Sequence, residues 1–253
     1  MKLTLTLILA LSMPLSAHAQ SSANLRGKVA VVSLIGNVIT IDTYRRKVGT
    51  LIGANYQEVL PVSTPIFDNT VISVAADAVY PQLAPGASVA TLAVPTPDSG
   101  FDPARLVVDG AVSRSNALVT ALRESGFTHL LAITKHRGAA RLQLADVTVG
   151  SGNLQGIGFY VDNDLGTYRT DTGAMGRGFI APYAYLRLLL INVDSLEIQG
   201  DKTVTASAAR SSVDNKTGFD PWGAMTAEEK VSMLQSLLKE HVAAAVPLLF
   251  AQK

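Results

Sequence analysis

The chain has 253 residues, 48% of them hydrophobic, with 21 basic and 20 acidic side chains and no cysteine. So even a charge balance excludes the basic excess that drives nucleic-acid binding. The missing cysteines exclude disulfides, thiolate metal sites and a lipid-bearing thiol, so the core alone must hold the fold together.

Residues 1–19 have the layout of a cleavable secretory signal peptide. Met1-Lys2 gives a positive start, and Leu3 to Leu11 is apolar apart from Thr4 and Thr6. Pro14 then breaks the run, and Ala17-His18-Ala19 supplies the small residues of a cleavage site before Gln20. The apolar run is shorter than the roughly 20 residues a membrane-spanning helix needs. Cleavage removes one lysine and leaves 20 basic and 20 acidic residues, which predicts a periplasmic or secreted protein with no span after processing. The most apolar later stretch, Tyr183 to Val193, is interrupted by Arg187. One domain over 20–253 is expected, with a flexible start at 20–26.

Lys28 to Leu34 is a β-branched run bounded by glycine, as in a strand buried on both faces. Val38 to Thr43 alternates and is expected to pair with it as a hairpin through Gly36-Asn37. The dense basic run Arg45-Arg46-Lys47 reads as a solvated strand end. Asp68 is expected to cap a helix that runs to about Tyr80, with Val71, Val74, Ala75, Ala78 and Val79 inward, and Pro81 stops it. Ser88 to Val94 is the next strand. A helix over about Ser115 to Ser125 ends at Gly126, and Thr128 to Thr134 follows as a buried strand, an order that suits a parallel crossover.

Beyond His136 the pattern turns to paired strands. Arg141 to Val149 and Leu154 to Val161 are expected as two of them, followed by a glycine-rich loop at 162–178. A long strand from Pro182 to about Ile198 is expected to turn at Gly200-Asp201 and return as Thr203 to Arg210. Thr226-Ala227-Glu228-Glu229 is a capping box opening a helix with Val231, Leu234, Leu237, Leu238, Val242 and Ala245 on one face, ended by Pro247. The elements predict an α/β or α+β domain with a mixed parallel and antiparallel sheet and about three long helices.

Few motifs carry chemistry. Gly86-Ala87-Ser88-Val89-Ala90 lacks the final glycine of a nucleophile elbow and precedes a strand rather than following one. Gly176-Arg177-Gly178-Phe179-Ile180-Ala181 matches the dinucleotide pattern only loosely and in the wrong context, so no cofactor is expected. Asp162-Asn163-Asp164-Leu165-Gly166 resembles a calcium loop in composition, but its glycine comes one residue early and Gly173 stands where the bidentate glutamate belongs. Asp162, Asp164 and Asp171 remain a weak candidate set for a hard cation. His129, His136 and His241 each have a structural place, and none has metal-ligand spacing.

The run Leu118 to Leu131, in which a helix leads through Gly126 into a strand, is followed by the long hairpin Tyr183 to Arg210 and the closing helix Thr226 to Val246. This order of elements resembles two small domains of bacterial envelope proteins: the periplasmic domain of the curli-secretion channel and the amino-terminal domain of the Tol-system propeller protein. The resemblance implies a non-enzymatic domain offering a sheet edge or groove to another envelope protein. Channel activity is not implied, because the lipidated cysteine and a pore-forming hairpin are missing.

The first expected function is therefore a soluble, non-catalytic accessory or binding protein of the cell envelope. Its working surface would be the 162–178 segment and the strands beside it, through Tyr168, Arg169, Arg177 and Phe179, residue types that bind strongly when covered. The alternative is a periplasmic hydrolase assembling Asp42, His129, His136 or Asp162 in space. A small-ligand carrier with an apolar cavity is the third.

Overall fold

The computed structural model describes residues 25–45, 55–93, 105–144, 147–168, 173, 175–211, 220–223 and 225–251. The signal-peptide segment and residues 20–24 lie outside the described residues.

The first strands are β1 (Lys28–Ser33), β2 (Val38–Thr43) and β3 (Tyr56–Pro61), followed by helix α1 (Ile66–Val79) and strand β4 (Ser88–Leu92). Two short strands, β5 (Val107–Val108) and β6 (Ala111–Val112), lead into α2 (Ala117–Glu124) and β7 (His129–Lys135). Next come β8 (Arg137–Ala139), β9 (Leu142–Leu144) and β10 (Val147–Val149). The long pair β11 (Asn153–Tyr168) and β12 (Met175–Asn192) precedes β13 (Ile198–Ser207), β14 (Arg210–Ser211) and α3 (Ala227–Ala245).

The expected mixed sheet with three helices is what forms. Its organiser is β12. The first half of β12 pairs antiparallel with β11, which pairs parallel with β2, which pairs antiparallel with β3. The second half pairs antiparallel with β7, which lies parallel to β1, itself parallel to β4. Along the opposite side of β12 run β13 and β14. Two three-strand blocks thus sit one after the other along a single 18-residue strand.

This arrangement corrects the expected β1–β2 hairpin. The two strands belong to different blocks and do not pair, because both run antiparallel to β12 and so point the same way. Gly36, with φ of +72°, joins them. The turn between β12 and β13 is also displaced from Gly200-Asp201. The Asn192 carboxamide accepts from the amides of Asp194 and Ser195, and Leu196 takes a left-handed φ of +62°, so the chain reverses there. Gly200 lies within β13 beneath the carboxyl-terminal segment, where a Cβ would come 2.7 Å from the Leu249 carbonyl oxygen. The single expected strand over Arg141 to Val149 is instead the hairpin β9–β10.

One sheet face carries α1 and α3. Val29, Val31, Leu131, Ile133, Leu186 and Leu188 point into a core shared with Phe67, Val71, Leu234 and Leu238. α3 starts at the predicted capping box, with the Thr226 hydroxyl accepting from the Glu229 amide at 3.2 Å and the Glu229 carboxylate accepting from the Thr226 amide at 2.7 Å. Asp68 does not cap α1. It lies in the first turn beyond the N-cap position, held by Pro65, and faces the end of β1. Burial raises its carboxyl above the usual range, opposed by the nearby Ser33 hydroxyl, the Gly36 and Ile35 amides and the Lys135 ammonium.

The other face is covered in two parts. α2 contributes Val119 and Leu122 to a cluster with Ala30, Val32, Leu130, Ala132 and Leu189. Its N-cap is Asn116, whose carboxamide accepts from the Leu118 amide, and Gly126 follows it at φ of +74°. Over the β11–β12 end lies a separate aromatic cluster of Tyr160, Phe179, Tyr183 and Tyr185, closed by Leu142 and Leu154.

Candidate functional site: the long hairpin

The segment expected as a loop at 162–178 is largely strand. β11 continues to Tyr168 and β12 begins at Met175, so the hairpin arms hold most of it. The reason is that pairing resumes after an irregularity between Asp162 and Gly166, where the Asp162 carboxylate accepts from the amides of Asp164 and Leu165. That local turn absorbs the extra residues and restores register, as a bulge does.

The root of the hairpin is tightly built. The Asp42 side chain, fully buried, accepts from the Tyr183 hydroxyl and the Gln57 amide, both at 2.6 Å. Desolvation raises the Asp42 carboxyl while the two donors oppose the rise. Tyr183 is raised in turn, first by burial and then by the neighbouring Asp42 charge. This packing requires Gly158, since a Cβ there would come 2.7 Å from the Tyr183 hydroxyl. Tyr160 accepts from the Ser151 amide at 3.1 Å, and Tyr185 bridges the Ala139 carbonyl and the Arg141 amide. The root therefore has satisfied phenols and rings in contact, including Tyr160 stacked on Phe179 at 5.8 Å.

Past Val161 the hairpin changes character. Val161 is the last β11 residue paired with β2, and beyond it, among the described residues, β11 pairs with β12 alone. Tyr168 and Met175 sit opposite each other at the far end of the ribbon, 61% and 84% exposed. Below them the Arg177 guanidinium donates to Asp164 at 2.8 Å, an exposed cross-strand ion pair.

The residues nominated from sequence are thus divided. Tyr168 and Arg177 lie on the exposed ribbon. Phe179 is wholly buried at the root, so it anchors the hairpin and offers nothing to a partner. Arg169 and Asp171 lie outside the described residues. Of the carboxylates nominated for a cation, Asp162 is spent on its turn and Asp164 on Arg177. Among the described residues no group of three acidic or histidine side chains converges as a metal site would. Met175, which the sequence reading passed over, becomes conspicuous only once pairing places it opposite Tyr168.

The side chains proposed for a hydrolase are not joined by hydrogen bonds to one another. Asp42 is held by Tyr183 and Gln57, Asp162 by its own turn, and His129 by the Thr128 hydroxyl at 2.9 Å. Burial lowers His129 below its ordinary value. His136 lines a cavity at the end of β7, where its amide donates to the Tyr185 carbonyl at 2.9 Å. Among the described residues, no helix is long and apolar enough to cross a membrane.

No family model matches the chain, and no curated protein matches it. Solved structures align over most of its length at low identity. A Helicobacter pylori protein described as a neuraminyllactose-binding hemagglutinin homologue aligns at 12% identity and a TM-score of 0.42, over 88% of this chain and 87% of its own. A Xanthomonas campestris protein of the DUF330 family aligns at 11% and 0.40, over 89% and 84%. PelC of Paraburkholderia phytofirmans, a dodecamer, aligns at 13% and 0.31, over 91% and 95%. The resemblance to curli-channel and Tol domains is not shown by these comparisons.

Proposed function

We propose that this protein is an exported, non-catalytic accessory protein of the cell envelope that docks another envelope protein through the distal ribbon of the β11–β12 hairpin. One observation carries the reading: Tyr168 and Met175, two large apolar side chains, face each other in solvent at the end of a ribbon with no third strand among the described residues. An isolated two-stranded hairpin is only marginally stable in water. Exposing its most apolar pair at the far end gains nothing for folding, whereas covering such a pair in a complex removes apolar surface from water. The Asp164–Arg177 pair beneath it supplies a polar rim and fixes strand register.

Site-specific photocrosslinking tests the reading. A crosslinking residue at Met175 in intact cells should yield one discrete adduct with an identifiable envelope protein, lost on Tyr168→Ser. The same residue at Val147, which is 55% exposed on β10, should yield none. Equal labelling from both positions would remove the ribbon from consideration. Export is tested on the same material, because the envelope-fraction chain should begin at Gln20.

A further inference from the structure

At the carboxyl ends of β1 and β7 lies a cavity of about 420 Å³, within the size range of small-molecule sites. The ends of parallel strands are where open sheets leave room for ligands, since the chain departs there in different directions. Here the departure is pronounced. β1 passes on to β2 and β7 to β8, so both strands leave one block of the sheet for the other.

The lining divides by chemistry. Leu34, Leu106 and Leu189 form an apolar floor continuous with the cluster under α2. Basic residues share the lining, Lys135, His136, Arg137 and Arg187, with no carboxylate among the described lining residues. Arg187 is fixed in place by Asp201, which accepts from Nε at 3.0 Å and from Nη2 at 2.6 Å. Asp68 lies close enough to Lys135 to act on its charge from the α1 side. The charges of Arg187 and Lys135 are thus partly offset, while Arg137 is exposed at the mouth and His136 half-buried beside it.

We propose that this cavity binds a small organic anion, with its apolar body against Leu34, Leu106 and Leu189 and its charged end at His136 and Arg137. A carboxylate suits the arrangement because a guanidinium presents parallel donors to it, and a neutral molecule brings no charge to the Arg137 guanidinium. The site is separate from the distal ribbon, and the proposal does not depend on the docking reading.

Titration calorimetry of the mature full-length chain tests it with three probes at constant ionic strength: octanoate, octanamide and inorganic phosphate. Octanoate should bind saturably at one site, at least tenfold more tightly than either of the others. Arg137→Glu combined with His136→Gln should weaken octanoate tenfold or more and leave the melting temperature unchanged, as both side chains sit at the mouth. Val107→Ser, at the edge of the floor, should weaken octanoate severalfold and leave phosphate unaffected. The proposal is overturned by octanamide binding as well as octanoate, by phosphate binding as well as octanoate, by undiminished octanoate binding in the double variant, or by no saturable octanoate binding up to about 10 mM.

Discussion

The two ends of the β11–β12 hairpin are built from the same pair of strands and have opposite physical characters. At the root, Phe159, Tyr160, Phe179, Tyr183 and Tyr185 are buried to 1% exposure or less, and the polar atoms of the tyrosines are bonded to backbone or to Asp42. At the tip, Tyr168 and Met175 stand in solvent. Neighbours make the difference, since the root is flanked by β2 and β14 and covered by β9 while the tip, among the described residues, has only its own partner strand. Residue type therefore says little about role in this hairpin. Phe179 and Tyr168 both qualify as interface residues by composition, and only position separates them.

The largest effect should come from emptying the root. Phe179→Ala should cost about 3–5 kcal/mol in urea unfolding, the range for removing a buried aromatic ring. A loss below about 1 kcal/mol would mean that the root is not packed as described. Next comes Asp42→Ala, which leaves the Tyr183 hydroxyl and the Gln57 amide without their acceptor and should cost about 3 kcal/mol.

Asp42 also makes the root pH-sensitive. Its folded pKa is raised above the ordinary 3.8, so the folded protein holds this proton more tightly than the unfolded chain does. The contribution is full below 3.8 and is lost as pH rises through the raised value. The stability of wild type relative to Asp42→Asn should therefore fall across that window. A difference flat with pH would show that Asp42 titrates normally.

Outside both regions, Thr226→Ala should remove the α3 capping box at a cost of about 1 kcal/mol, giving a calibrating loss unrelated to the hairpin. The smallest effect belongs to the tip. Tyr168→Ser and Met175→Ser together should change stability by less than about 0.5 kcal/mol while abolishing the crosslinked adduct. A tip variant as costly as Phe179→Ala would erase the contrast between the two ends.

The parts of the fold legible in the sequence are those governed by neighbouring residues. The capping box at Thr226, the terminating Gly126 and the apolar run into β7 are local signals, and each appears where the pattern places it. The antiparallel pairing of β12 with β13 was legible, but the pairing of the first two strands was not. Gly36-Asn37 has the composition of a hairpin turn, yet β1 pairs with β4 and β7 and β2 with β3 and β11, the β7 and β11 partners lying 100 and 118 residues on, and no short-range signal encodes that choice. The 162–178 segment read as a loop because its glycines and aspartates mask strand alternation. In the fold Asp162 makes a turn within the strand, and Gly178 adopts φ of +84° where a Cβ would meet the Asp162 carbonyl oxygen at 2.6 Å. Lys135, His136 and Arg137 are adjacent in the sequence, but a cavity beside them depends on Leu34 and Leu189 arriving from other parts of the chain.

The placement of β12 has a consequence for the order of assembly. It is the one described strand hydrogen-bonded to both three-strand blocks, and it begins at Met175, late in the chain. Until that strand is available, the blocks have no shared ladder, and contacts such as Asp42 with Tyr183, 141 residues apart, cannot form. Closing such separations costs chain entropy before any pairing repays it, so folding should be slow and should wait on the last third of the sequence. A chain emerging amino terminus first would thus remain open and easily threaded until β12 arrives, and only then close in one cooperative step.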